Sequence, residues 1–193
     1  MRILVYDLVS ENRKQIKGSE FEKKIRSVRV SATELLHSLG IQCTESVILI
    51  SDDMAERTDD VIKYIDRMYS SVLSEAERAL GIILPRPIIR LLTITQEQFI
   101  TFRELAERRL REALDANIDR VSMISETSCE IEDSERARGL ISSLRRLKRE
   151  WLRIRDHVVS LGIKIEDDID YLVQMIDSIV ASIRGRQPWQ ALE

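Results

Sequence analysis

The sequence predicts an α+β protein: a small ferredoxin-like, or three-stranded βαβαβ, sheet domain followed by an all-α bundle with a coiled-coil-like hairpin. Three observations predict it. Short β-branched runs alternate with helical periodicity over residues 1–94. No strand signal follows residue 94. Near the C-terminus, Leu140, Leu144, Leu147, Trp151, Ile154, Val158 and Leu161 recur at alternating intervals of three and four, and Ile165, Ile169, Leu172, Ile176, Ile179 and Ile183 repeat the rhythm. Gly162 stands between the two runs as a stop signal.

The elements follow in order. Residues 3–8 (ILVYDL) are a short β-rich run. Ser19 and Glu22 have the spacing of a capping box. Phe21, Ile25, Val28, Ala32, Leu35 and Leu39 then mark one helical face, ended by Gly40. Residues 41–51 (IQCTESVILIS) are extended, as one strand or as two. Two strands give β-α-β-β-α-β, whereas one gives a small parallel sheet. The run VILI favours burial on both faces and so the parallel form. The lack of a Gly or Asn-Gly turn within 43–46 argues against a tight hairpin, unless a bulge substitutes. Asp52 and Asp53 open a second helix with Val61, Ile65, Met68, Val72 and Ala76 inward and Gly81 as its stop. Residues 86–94 (RPIIRLLTI) form a strand whose entry Pro85 and Pro87 keep out of a sheet interior.

Thr95 and Gln98 form a second capping-box pattern. It starts a helix over about 96–125 with Phe99, Phe102, Ala106, Leu110, Ala113, Val121 and Ile124 on one face. An acidic loop is expected at 126–133, and a tail containing Trp189 at 185–193. The domain reading is therefore 1–94, 95–184 and a tail at 185–193. A long thin helix and a hairpin expose much apolar surface, which favours a homodimer.

Composition bounds the function. Net charge is −3, with 30 basic and 33 acidic residues, so a generic polyanion binder is disfavoured while a local basic patch is not. Cys43 and Cys129 lack CxxC spacing, which points to a reduced, cytoplasmic chain without a zinc site. No run approaches the roughly 20 apolar residues of a membrane span. After residue 8 there is neither a GxGxxG nor a GK[ST] sequence, so a phosphate-binding loop of those kinds is disfavoured. His37 and His157 are the only histidines and lie on different helices, the ordinary setting of surface or boundary residues.

Two candidate sites remain. Asp7 ends the first strand, and Asp52 and Asp53 follow the next. Were those strand ends adjacent, the three carboxylates would suit a divalent metal; otherwise they are ordinary strand-end and helix-capping acids. The second site is electrostatic. Between Arg136 and Arg155 lie eight basic residues and one acid, Glu150. With Leu144 and Trp151 at heptad position a, Arg145, Arg146, Arg149 and Arg153 face outward, and Arg138 joins them. Such a stripe suits nucleic-acid phosphates or an acidic partner helix, and is also what a solvated helix face looks like.

The stretch Val5-Tyr6-Asp7, the Leu39-Gly40-Ile41-Gln42 turn and the Ser46-Val47-Ile48-Leu49 strand resemble the ferredoxin-fold CRISPR adaptation subunit. They are similar also to the N-terminal region of the chromate-resistance regulator ChrB. Both resemblances cover about residues 1–94. The first implies a symmetric dimer with Asp7 as a metal residue. The second implies a regulatory or nucleic-acid-linked role without catalysis. The reading taken from the sequence is a non-enzymatic, dimeric nucleic-acid-associated or regulatory protein without a cofactor. A protein-interaction scaffold and a divalent-metal nuclease using Asp7 are the alternatives.

Overall fold

The computed structural model describes residues 1–8, 16–127 and 133–186. The expectations for Cys129 and for the Trp189 tail lie outside these residues. The chain is α+β: four strands and five helices among the described residues. It divides into two compact units, one running from Met1 to Ala106 and one from Glu107 onward. The division falls within the third helix.

In the first unit, β1 (Arg2–Asp7) is followed by α1 (Glu20–His37), β2 (Ile41–Thr44), β3 (Val47–Ile50), a 3-10 turn (Asp52–Met54), α2 (Ala55–Leu80) and β4 (Ile88–Thr93). The strands form one sheet in the order β2-β3-β1-β4, and every neighbouring pair is antiparallel. The parallel alternative is therefore wrong. The run VILI is buried throughout Ile48–Ile50, but a continuous apolar run reports only that both faces are covered. It carries no information on strand direction.

Residues 41–50 are two strands. Their register shifts between Gln42 and Thr44, so Cys43 is an extra residue, a bulge. The turn at 45–46 needs no glycine. Gln42 Nε2 donates to the Glu45 carbonyl at 3.2 Å, and Tyr6 N donates to the Ser46 carbonyl at 3.0 Å. One face of the sheet, with Leu4, Tyr6, Ile48 and Ile50, packs on Phe21, Ile25, Ala32 and Leu36 of α1 and on Ile65, Tyr69, Leu73 and Ala76 of α2. Alternation sends Ile3 and Leu49 to the opposite face, where they are buried too.

The inward face of α2 is turned slightly from its predicted line. Tyr69 and Leu73 are buried, while Val61, Met68 and Val72 are only partly so. Glycine works differently at three stops. Gly81 and Gly162 cap their helices in the left-handed region, at φ 67 and 65. By contrast α1 ends at His37, before Gly40. A Cβ at Gly40 would overlap the Leu49 carbonyl of β3, so this glycine permits close backbone approach.

The two capping boxes also differ. At Thr95 the box is complete: Gln98 N donates to Thr95 Oγ1 at 3.3 Å and Thr95 N to Gln98 Oε1 at 3.0 Å. At Ser19 neither arm forms, because Ser19 N donates to the Ile16 carbonyl at 3.0 Å. Glu22 Oε2 accepts from Gly18 N, while the Ser19 hydroxyl donates to the Ile16 carbonyl.

Helix α3 (Gln96–Thr127) enters the second unit, which continues with α4 (Ser134–Leu161) and α5 (Glu166–Arg186). On α3, Ala106, Leu110, Leu114 and Val121 are buried; Leu114 takes the place expected for Ala113. Asp133 caps α4 by accepting from Glu135 N. Along α5 and the residue before it the predicted seam holds completely, with Ile165, Ile169, Leu172, Ile176, Ile179 and Ile183 all buried. In α4 the seam is rotated. Ala137, Ile141, Leu144, Trp151 and Val158 are buried, whereas Leu140, Leu147 and Ile154 are half-buried. No described helix is long and apolar enough to cross a membrane.

Candidate anion-binding groove

Helices α4 and α5 are in contact, and two ion pairs set their register. Arg155 Nη2 lies 3.2 Å from Asp170, and Lys148 Nζ lies 2.6 Å from Asp177. Seven residues back along α4 correspond to seven residues forward along α5, so the helices run antiparallel. The next step of this ladder sets Ile141 against Arg184. Two rungs pair a cation with a carboxylate, and the third puts a cation where the carboxylate would be.

At that third rung a shallow cavity of about 650 Å³ opens, lined by Arg138, Ile141, Ser142, Arg145, Lys148, Arg149 and Arg184. Among the described residues its lining carries five cationic side chains and no carboxylate. Lys148 is held by Asp177 through both oxygens, at 2.7 and 2.6 Å. The Arg149 Nε donates to the Arg145 carbonyl at 3.4 Å, one turn back. With about 100° between successive residues, Arg138, Ser142, Arg145 and Arg149 fall on one narrow strip of α4, beside the buried line of Ala137, Ile141 and Leu144. The apolar line buries one flank of α4 against α5, and the strip beside it borders the groove.

Of the five predicted arginines, the groove gathers Arg138, Arg145 and Arg149. Arg146 and Arg153 are exposed but lie further round the helix and do not line it. Sequence reasoning missed Lys148 and Arg184. Their signal was present as matched heptads, Ile141-Lys148-Arg155 against Asp170-Asp177-Arg184, legible only once the two helices are known to be antiparallel neighbours.

The candidate metal site does not assemble as expected. Asp7 is exposed at the C-terminal end of β1. Asp52 lies at the other end of that strand, where its carboxylate takes the Met1 ammonium at 2.9 Å. The cause is strand direction: β3 is antiparallel to β1, so its exit, Ile50, pairs with Arg2. About 20 Å of strand separates the two ends. Among the described residues no group of three or more His, Cys, Asp or Glu side chains converges.

His37 and Tyr6 meet in the first unit, with the Tyr6 hydroxyl 3.0 Å from His37 Nε2. His157 is buried on α4. Compared with protein-family models, curated proteins and solved structures, the chain matches none.

Proposed function

We propose that this chain is a non-enzymatic nucleic-acid-associated or regulatory protein that binds phosphates through the groove between α4 and α5. The single observation that carries the reading is the broken rung. In a chain of net charge −3, five cationic side chains crowd one concavity with no carboxylate among the described lining residues. Cations gathered this closely raise the local positive potential, and an anionic ligand lowers it. Binding of this kind is dominated by counterion release from the nucleic acid.

The β-α-β-β-α-β order and the strand sequence β2-β3-β1-β4 support a ferredoxin-like reading of the sheet unit. The antiparallel packing of α4 on α5 supports the coiled-coil reading. The buried thiol of Cys43 suits a reduced, cytoplasmic setting.

The test is fluorescence anisotropy on a labelled duplex over a salt series. Lys148 is held by Asp177, so for about four phosphate contacts the slope of log K against log salt approaches about −3.6. The triple variant Arg138→Gln, Arg145→Gln, Arg149→Gln flattens that slope by about 2.7. A control, Arg57→Gln with Arg67→Gln on α2, leaves it unchanged. No binding at low salt, or equal slopes in the groove and control variants, refutes the reading.

A second reading has its own observation. Met123 and Tyr171 are large, apolar and more than half exposed. A smaller cavity of about 290 Å³ is lined by Ser125, Tyr171, Gln174, Met175, Ser178 and Ile179. Exposed methionine and aromatic surface suits a protein partner or a second copy of the chain. Light scattering on Met123→Ser with Tyr171→Ser tests self-association: a dimer that dissociates supports it, and a wild-type monomer removes the homodimer.

A further inference from the structure

Resting on the phosphate-binding reading of the groove, we propose that its ligand is the sugar–phosphate chain itself, taken as an extended polyanion without recognition of base or sugar. The first argument is length. From Arg138 to Arg149 the cationic strip runs about 16 Å along α4, longer than one phosphate, so one anion cannot engage all of it. A repeating anion can.

The second argument is the chemistry of the lining. It consists of four arginines, a lysine, Ile141 and Ser142. Among the described residues that line it there is no aromatic ring to stack a base, which is how single-stranded bases are usually held. Nor is there, among those described residues, an Asn, Gln, Asp or Glu to read a base edge other than guanine. Ser142 is the only neutral hydrogen-bonding side chain among the described lining residues, too little to distinguish ribose from deoxyribose along a chain. What the groove offers is charge in a row.

The third argument separates ligand-binding cations from structural ones. Lys148 is engaged by Asp177 at 2.6 and 2.7 Å and belongs to the ladder that holds the helices together. Arg184 is on the same ladder, opposite apolar Ile141, and has no such duty. Arg184 therefore contributes to binding with little effect on folding, and it adds charge from the helix facing Arg138, Arg145 and Arg149.

The experiment compares oligomers of one length at low salt: mixed-sequence single-stranded DNA, the matching RNA, and a deoxyribose-phosphate chain lacking bases, each competed with inorganic phosphate. Wild-type affinities for the three chains agree within about threefold, and inorganic phosphate competes only as any salt does. Arg184→Gln weakens all three alike, by about three- to tenfold, with its melting temperature unchanged. An abasic chain bound more than about tenfold weaker than DNA overturns this inference while leaving nucleic-acid binding intact. So does a tenfold sugar or sequence preference, or specific displacement by inorganic phosphate. If no chain binds, the underlying reading fails with it.

Discussion

Replacing Gly40 by alanine tests the packing of the sheet. A methyl group there meets the Leu49 carbonyl carbon and oxygen and the Ile48 Cγ2, the latter at 3.1 Å. Two of the three obstructing atoms are backbone of a sheet-interior strand and cannot rotate away. Gly40 is not among the glycines at positive φ, so crowding and not conformation excludes a side chain. Overpacking of this kind costs about 1–3 kcal/mol, and backbone obstruction places it at the upper end. Alanine also restricts the unfolded chain, offsetting about 0.4–1 kcal/mol. The net expectation is a loss of about 2 kcal/mol, or about 10 °C in the melting temperature of a unit near 100 residues. Gly139 is the internal control: it lies in α4, and a Cβ there meets nothing within 4 Å. Gly139→Ala raises stability by about 0.5–1 kcal/mol through helix propensity alone. Thermal melts of both variants, with amide exchange over residues 41–50, read the outcome. A Gly40→Ala protein that melts with the wild type and keeps its β2 and β3 amides protected would falsify the pairing described for the sheet.

Three further outcomes are expected. Trp151, 3% exposed, fills the α4 seam; Trp151→Ala costs about 3–5 kcal/mol in urea unfolding of the second unit, and a loss below 1 would mean that the indole is not packed. Tyr69 has its hydroxyl buried without a partner and its pKa pushed up from 10.0 to about 12 by burial. The native state thus keeps a proton that the unfolded state releases between those values, so stability present below pH 10 declines as pH rises toward 12. Tyr69→Phe removes this part of the decline and leaves stability at neutral pH equal or higher by up to about 1 kcal/mol; an unaltered alkaline profile in that variant counts against the assignment. Asp177→Asn unclamps Lys148, costing only about 0.2–1 kcal/mol because the pair is partly exposed, and steepens the salt slope of duplex binding by about 0.9. Weaker binding in that variant would show that the ladder shapes the groove and that Lys148 adds no contact of its own.

Periodicity was most reliable where one face of an element was buried against a neighbour. The α5 seam reads off the sequence residue by residue because its isoleucines and leucine recur without interruption. The α4 seam does not, because Ile141 competes with Leu140 and tertiary packing buries Ile141. The same holds on α3, where Leu114 lies beside Ala113 and wins the interior by size. Asp7 and Asp52 show the opposite kind of failure. Both were correctly placed at strand ends, but their separation depends on the relative direction of β1 and β3, which no local pattern encodes.

The sequence by itself determined the α+β class, the order of elements outside residues 41–51, the stops at Gly81 and Gly162 and the cationic excess of α4. These follow from local steric preference, spacing and composition, all properties of neighbours along the chain. Tertiary structure alone decided that the sheet is antiparallel and that Cys43 is a bulge. It also decided that the carboxylates part, and that Arg184 crosses to join Arg138, Arg145 and Arg149. Each depends on which distant residues share a rung or a register, and long-range pairing is set by the packing of whole faces, which single positions do not carry.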